Sequence, residues 1–207
     1  MALITEEQLR ARVQSQPVQN RSGDRIYNVH AKAETLLSEA RSYQNSTKAT
    51  QDTFDIFLSH STKDAELVAG LKLLLEDLGF KVYVDWIEDP QLSRAHVTKN
   101  TARVLQGRMR QCKTLIYAFS ENSSESRWMP WELGYFDGIK NKVAVMPIAK
   151  GSRSDDFKGT EYLGLYYYIT IDKIQNSTQE AIWVHESTKV YVAFDNWFKF
   201  NSQPYQH

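Results

Sequence analysis

The 207-residue chain predicts a doubly wound α/β fold, and three observations carry that prediction. From Phe54 onward, short continuous apolar runs alternate with longer stretches whose apolar residues recur at helical spacing. The runs lack the in/out alternation of a half-exposed strand, so they read as strands covered on both faces. The stretches between them are long enough to serve as the crossover helices that parallel strands require.

Taken in chain order, residues 1–50 form a polar extension that cannot bury a core alone, its apolar patches being Leu3-Ile4, Ile26-Tyr27 and Leu36-Leu37. A short helix over Thr5 to Val13 fits a capping box, Thr5 with Gln8 three residues later, and Ala31 to Tyr43 is a second good helix former. This segment reads equally as an extension packed on the main domain or as an arm for self-association. The main domain, 51–175, opens with the strand Phe54 to Leu58 and a helix from Asp64 to Leu78 stopped by Gly79. Lys81 to Asp85, Thr114 to Phe119, Val143 to Ile148 and Tyr166 to Ile171 supply four further strands. Helices from about Val97 to Gln111 and Arg127 to Ile139 separate three of them. In 176–207, Ala181 to His185 and Lys189 to Ala193 read as a hairpin, followed by a short helix over Phe194 to Phe200.

The 25 Lys+Arg balance 25 Asp+Glu, a formal net charge of zero that disfavours a general nucleic-acid binder. A single cysteine, Cys112, and five scattered histidines offer neither an internal disulfide nor a zinc site. No apolar run approaches the length of a membrane span, and the acidic start MALITEEQLRAR does not resemble a signal peptide. The expected location is the cytoplasm. GxGxxG, GxxxxGK[ST] and GxSxG are all absent, which disfavours a Rossmann cofactor site, a P-loop NTPase and a hydrolase elbow.

In open parallel sheets ligands bind beyond the carboxyl ends of the strands. That rule selects Ser59, His60 and Ser61 after the first strand, Asp85 and Trp86 after the second, and Ser120, Glu121 and Asn122 after the third. The segment Ser126 to Asp137 adds a plausible helix N-cap at Ser126, and Pro130, tolerable only in a first turn, places Glu132 near the start of that helix. Trp128 and Glu132 are four apart and share a face, so an aromatic plane lies beside a carboxylate that the helix terminus favours as the anion. Such a pair suits stacking a flat ring and stabilising a cation. Core anchoring by Trp128 and Trp131, with Glu132 merely complementing the helix dipole, is the plainer reading of the residues alone. Likewise Asp85 could be a loop cap and His60 a solvent-facing turn residue.

Between Asp89 and Glu121 there are no acids, while Arg94, Lys99, Arg103, Arg108, Arg110 and Lys113 make a local +6. On a helix, Lys99, Arg103 and Arg110 share one side. A solvated face is the simple account, and docking of an acidic partner or a neighbouring copy is the functional one.

Phe54-Asp-Ile-Phe-Leu-Ser-His-Ser61 resembles the first box of TIR (Toll/interleukin-1 receptor) domains. Lys81 to Asp85 with the Pro90 loop resembles their second strand and BB loop, and Trp128-x-x-x-Glu132 matches the WxxxE arrangement of the catalytically active members. The likeness covers about residues 54–172 and is to short bacterial TIR proteins of anti-phage defence (Thoeris-like). It implies a flavodoxin-like sheet of five parallel strands, with the helical extension before it and the hairpin and helix after it. It also implies cleavage of the nicotinamide–ribose bond of NAD⁺, to ADP-ribose or a cyclic or conjugated derivative. Glu132 would be the catalytic carboxylate, Asp85 and Trp86 would hold the nicotinamide end with Ser59 and His60 nearby, and Trp128 would close over the ribose. Arg94 could reach a substrate phosphate. No metal and no cofactor besides the NAD⁺ substrate is implied. Implied partners are other TIR domains and a downstream effector sensing the nucleotide product, with no nucleic acid and no membrane. Two alternatives remain open: a non-catalytic TIR scaffold, and a nucleoside deoxyribosyltransferase-like enzyme. The BB-loop segment Asp85 to His96 departs from many members in having no glycine.

Overall fold

The computed structural model describes residues 2–17, 31–35, 53–85, 98–151 and 157–207. Its centre is a sheet of five parallel strands: β2 (Phe54–Ser59), β3 (Val82–Tyr83), β4 (Cys112–Phe119), β5 (Val143–Ala149) and β6 (Tyr167–Lys173). Their spatial order, β3-β2-β4-β5-β6, is the second-first-third-fourth-fifth order of flavodoxin-like folds. The hairpin of β7 (Glu180–Ser187) and β8 (Val190–Ala193) continues this sheet: β7 pairs antiparallel with β6 from Tyr168↔His185 to Lys173↔Glu180. A short strand β9 (Tyr205–Gln206) then pairs with β8.

Successive residues of a strand face opposite ways, so β2 feeds two cores at once. Ile56 and Leu58 point into one, with Leu71 and Leu75 of α2 (Ala65–Asp77) and Phe194 and Trp197 of α5 (Phe194–Phe200). Phe57 points into the other, with Leu105 and Met109 of α3 (Lys99–Gln111) and Met129, Leu133 and Phe136 of α4 (Trp128–Lys140). Helices on both faces make the fold doubly wound, as expected. Gly79 ends α2 with φ +90°, a left-handed conformation that glycine adopts without steric cost.

The described start of the N-terminal extension, residues 2–17, is bound into the domain. β1 (Ile4–Thr5) pairs parallel with Ile148 and Ala149, the last residues of β5. Thr5 then caps α1 (Glu6–Ser15) through the expected capping box with Gln8. α1 crosses α2 where Gly70 removes a side chain: a Cβ there would lie 2.3 Å from the Leu9 carbonyl oxygen. Ion pairs of Arg10 with Glu66 (3.1 Å) and Arg12 with Asp77 (2.6 Å) flank the crossing. Of the second predicted helix, 31–35 is helical and the remainder lies outside the described residues. No helix among the described residues is long and apolar enough to cross a membrane.

Candidate active site

Glu132 occupies the fifth position of α4, and its side chain is fully buried. Pro130, third in the helix, needs no intrahelical donor there, which is why the chain can start a helix through it. Arg127 already has helical φ/ψ (−83°, −17°), so the cap lies one residue further back than a simple N-cap. Ser126 Oγ still accepts from the Met129 N–H at 3.3 Å. Ser59, the last residue of β2, shares the strand face of Phe57 and therefore points toward α4. Its hydroxyl donates to Glu132 Oε2 at 2.6 Å, the two residues each 0% exposed. A buried carboxylate is costly to leave unsolvated, and a short hydroxyl donor offsets part of that cost. Two residues 73 apart in sequence are thus fixed against each other by strand periodicity and helix start.

His60 follows at the carboxyl end of β2 and is fully buried, so a solvent-facing turn residue is not what the fold contains. Its Nδ1 lies 2.8 Å from the Leu58 carbonyl oxygen. A carbonyl only accepts, so Nδ1 carries the proton and Nε2 is turned toward Asp85 Oδ1, 3.7 Å away. Asp85, 2% exposed just past β3, holds its carboxylate inside the fold, and the loop it was expected to cap lies outside the described residues.

Trp128 is half-buried at the first position of α4, its ring meeting Trp131 edge-on at 5.3 Å, and Trp131 stacks on Tyr135 at 5.8 Å. The tryptophans are thus both core-edge packing and a wall beside Glu132's helix turn. Trp86 and Arg94, with the rest of the 86–97 segment, lie outside the described residues. Lys99, Arg103 and Arg110 are exposed on α3 as the helical pattern predicts, with Leu105 and Met109 turned inward. Arg110 lies over the Tyr135 ring at 5.7 Å.

Two features escaped the sequence reading. Tyr117, in register with Ser59 across β2 and β4, is buried. Burial first, then the neighbouring Tyr162 and the charge of Glu132, push its hydroxyl well above the ordinary tyrosine range. Asp64, also buried, accepts from Ser120 Oγ at 2.5 Å and from Asn122 Nδ2 at 2.6 Å. The Ser120 to Asn122 positions are legible from the strand-end rule, but Asp64 reads in sequence only as a helix start. Among the described residues no group of three or more His, Cys, Asp or Glu side chains is placed to hold a metal ion.

A second-first-third-fourth-fifth parallel sheet with a buried glutamate in the first turns of α4, bonded to the end of the first core strand, defines a TIR-type domain built around a carboxylate. The chain belongs to the TIR domain family, whose model matches residues 56–182. It is 55% identical over 169 residues, 82% of this chain and 86% of the relative, to "Probable 3' cyclic ADP-D-ribose synthase ThsB'" of Bacillus cereus (strain MSX-D12). A second similar protein is "Putative cyclic ADP-D-ribose synthase TIR2" of Cytobacillus dafuensis, 30% identical over 102 residues, which are 49% of this chain and 27% of that one.

Proposed function

We propose that this chain cleaves the nicotinamide–ribose bond of NAD⁺ and closes the ADP-ribosyl fragment into a cyclic product, acting as a signal-producing enzyme in bacterial anti-phage defence. The observation that carries this reading is Glu132, buried and held by Ser59 at 2.6 Å, in a TIR-family chain whose relatives are named for cyclic ADP-ribose synthesis.

In NAD⁺ the pyridinium ring leaves with the electrons of the glycosidic bond and becomes neutral nicotinamide, so departure needs no proton donor. The positive charge moves to the ribose, whose oxocarbenium character a fixed carboxylate stabilises. The Ser59 hydroxyl holds one oxygen of Glu132, so the carboxylate does not have to reorganise as that charge develops. An acceptor atom of the same fragment then bonds to the anomeric carbon and gives up its proton, so the products are nicotinamide, a cyclic ADP-ribose and H⁺. His60 and Asp85 line the carboxyl ends of β2 and β3, where the nicotinamide end would sit, and Trp128 would flank the ribose; Trp86 and Arg94 complete the proposed substrate contacts. No cofactor beyond the dinucleotide and no metal enters this scheme.

The reaction is placed in the cytoplasm, with NAD⁺ as substrate, other copies of the TIR domain as assembly partners and an effector that senses the cyclic nucleotide downstream. The exposed Lys99, Arg103 and Arg110 face of α3 supports a docking role in that assembly. Incubating the purified protein with NAD⁺ and resolving products by liquid chromatography and mass spectrometry tests the scheme. The wild type should release nicotinamide and a cyclic ADP-ribose, and Glu132→Gln should release neither. Equal rates from the two proteins would refute the assignment of Glu132.

A further inference from the structure

The turn that carries Ser59 to Ser61 and the turn that launches the glutamate helix meet at a buried carboxylate. Asp64 closes the 3₁₀ turn Thr62–Asp64, its N–H donating to the Ser61 carbonyl at 3.1 Å. From the other side, Ser120 Oγ and Asn122 Nδ2 donate to its two carboxylate oxygens at 2.5 and 2.6 Å. Ser120 is the first residue past β4, and the Ser120 N–H donates to Ser123 Oγ at 2.7 Å while Ser123 Oγ donates to the Ala118 carbonyl at 3.1 Å. The Ser126 N–H donates to the Ser123 carbonyl at 3.1 Å, and Ser126 Oγ accepts the Met129 N–H of the first turn of α4. An unbroken run of hydrogen bonds therefore leads from the turn after β2 to the helix turn that precedes Glu132. Asp64, Ser120 and Ser123 are at most 6% exposed, so the Asp64–Ser120 and Ser120–Ser123 bonds are made away from competing water, while Asn122 and Ser126 join the run from half-buried positions.

We propose that Asp64 is a positioning residue: it clasps the β2 and β4 turns together and so sets the Ser59–Glu132 geometry on which the reaction depends. The inference rests on the proposed NAD⁺ cleavage for its kinetic consequence, but the clasp itself is a property of the fold. Asp64 touches neither Ser59 nor Glu132 by any hydrogen bond described above. It acts through the backbone of the two turns. Its charge is not the essential quantity, because what the clasp requires is one hydrogen bond to Ser120 and one to Asn122 in fixed directions, whichever partner donates in the second. Asp64→Asn keeps them: the new amide oxygen accepts from Ser120, and the new NH₂ donates to the Asn122 oxygen once that amide turns over. Asp64→Ala removes both.

The test compares wild type, Asp64→Ala, Asp64→Asn and Asn122→Ala for kcat and KM of nicotinamide release, for thermal midpoint, and for amide hydrogen exchange over residues 120–133. A displacement of the reacting groups by an ångström costs up to about 100-fold in rate, so Asp64→Ala should lose about 10- to 100-fold in kcat with KM changed by less than about threefold. Asp64→Asn should recover most of that loss, and the 120–133 amides should exchange faster in Asp64→Ala than in Asp64→Asn. A lowered thermal midpoint with kcat unchanged would overturn the proposal, as would Asp64→Asn being as impaired as Asp64→Ala. If Asp64→Ala does not fold, Asn122→Ala, which removes one contact from a half-exposed position, decides: a drop in kcat with faster exchange supports the clasp, and neither overturns it. If the wild type releases no nicotinamide, the proposed function fails separately and the exchange data alone judge the clasp.

Discussion

Replacing Ser59 by alanine isolates the hydrogen bond on which the site is built. The substitution removes one oxygen atom from a fully buried position and leaves the β2 backbone its ladder partners in β4, so the sheet itself should persist. What disappears is the 2.6 Å donor to Glu132 Oε2. A hydrogen bond to a charged group contributes about 1.5–3 kcal/mol, and a buried acceptor deprived of it bears the desolvation cost in full. If that stabilisation serves the transition state, each 1.4 kcal/mol is about tenfold in rate, so kcat/KM for nicotinamide release should fall about 10- to 150-fold. The measurement is initial-rate chromatography of nicotinamide at several NAD⁺ concentrations, made well below the thermal midpoint of the variant. A folded Ser59→Ala protein with kcat/KM within about twofold of wild type would refute the claim that Ser59 fixes the reacting carboxylate.

Two further outcomes concern the frame around the site. Burial pushes His185 down to about 4; in the neutral ring Nδ1 faces the Ser187 carbonyl at 3.3 Å as donor, which leaves Nε2 to accept from the Thr170 hydroxyl at 2.9 Å. The unfolded chain takes up this proton near the ordinary histidine value of 6.5, so the contribution is complete above that pH and is lost as pH falls toward 4. Thermal melts between pH 7.5 and 4.5 should therefore show a steeper loss for wild type than for His185→Phe, and parallel curves would contradict the buried neutral histidine. Gly70→Ala would drive a methyl to 2.3 Å from the Leu9 carbonyl and should destabilise the protein by about 1–3 kcal/mol, freeing α1 to early proteolysis. An unchanged melting temperature and cleavage pattern would mean that α1 does not press on α2 as described.

The sequence made the periodic parts of this molecule legible because periodicity is local. Thr5 and Gln8 are three residues apart, and their capping box formed as expected. The stripe Val68, Leu71, Leu75 and the stop at Gly79 delimit α2 to within a residue or two, and Glu132 fell in the early turns of α4 because Pro130 forces a helix start. What the sequence could not show depends on side chains brought together from far apart. Asp64 meets Ser120 and Asn122 across 56 and 58 residues, and nothing in the Thr-Lys-Asp turn announces an acceptor for a distant serine. The enclosure of His60 likewise follows from Asp85 arriving on a different strand connection. The hairpin's strands are legible as two β-branched and aromatic runs with a short break between them, but that β7 adds to β6 in register is decided by the pairing edge left open there, which no local pattern specifies.

The placement of β1 and β9 has a practical consequence for handling the protein. Thr5 lies beside Ala149 at the carboxyl pole of the sheet, the pole of Ser59 and His60. Gln206 lies beside Val190 at the start of β8, which runs in the same sense as β6, and so at the amino pole. Tethering through the Tyr205 end to a sensor surface would therefore leave the Ser59 pole facing the bulk solution, whereas tethering ahead of Ile4 would bring the anchor to the pole of Ser59 and His60. Comparing nicotinamide release from the two immobilised orientations gives a direct reading of which pole the dinucleotide enters.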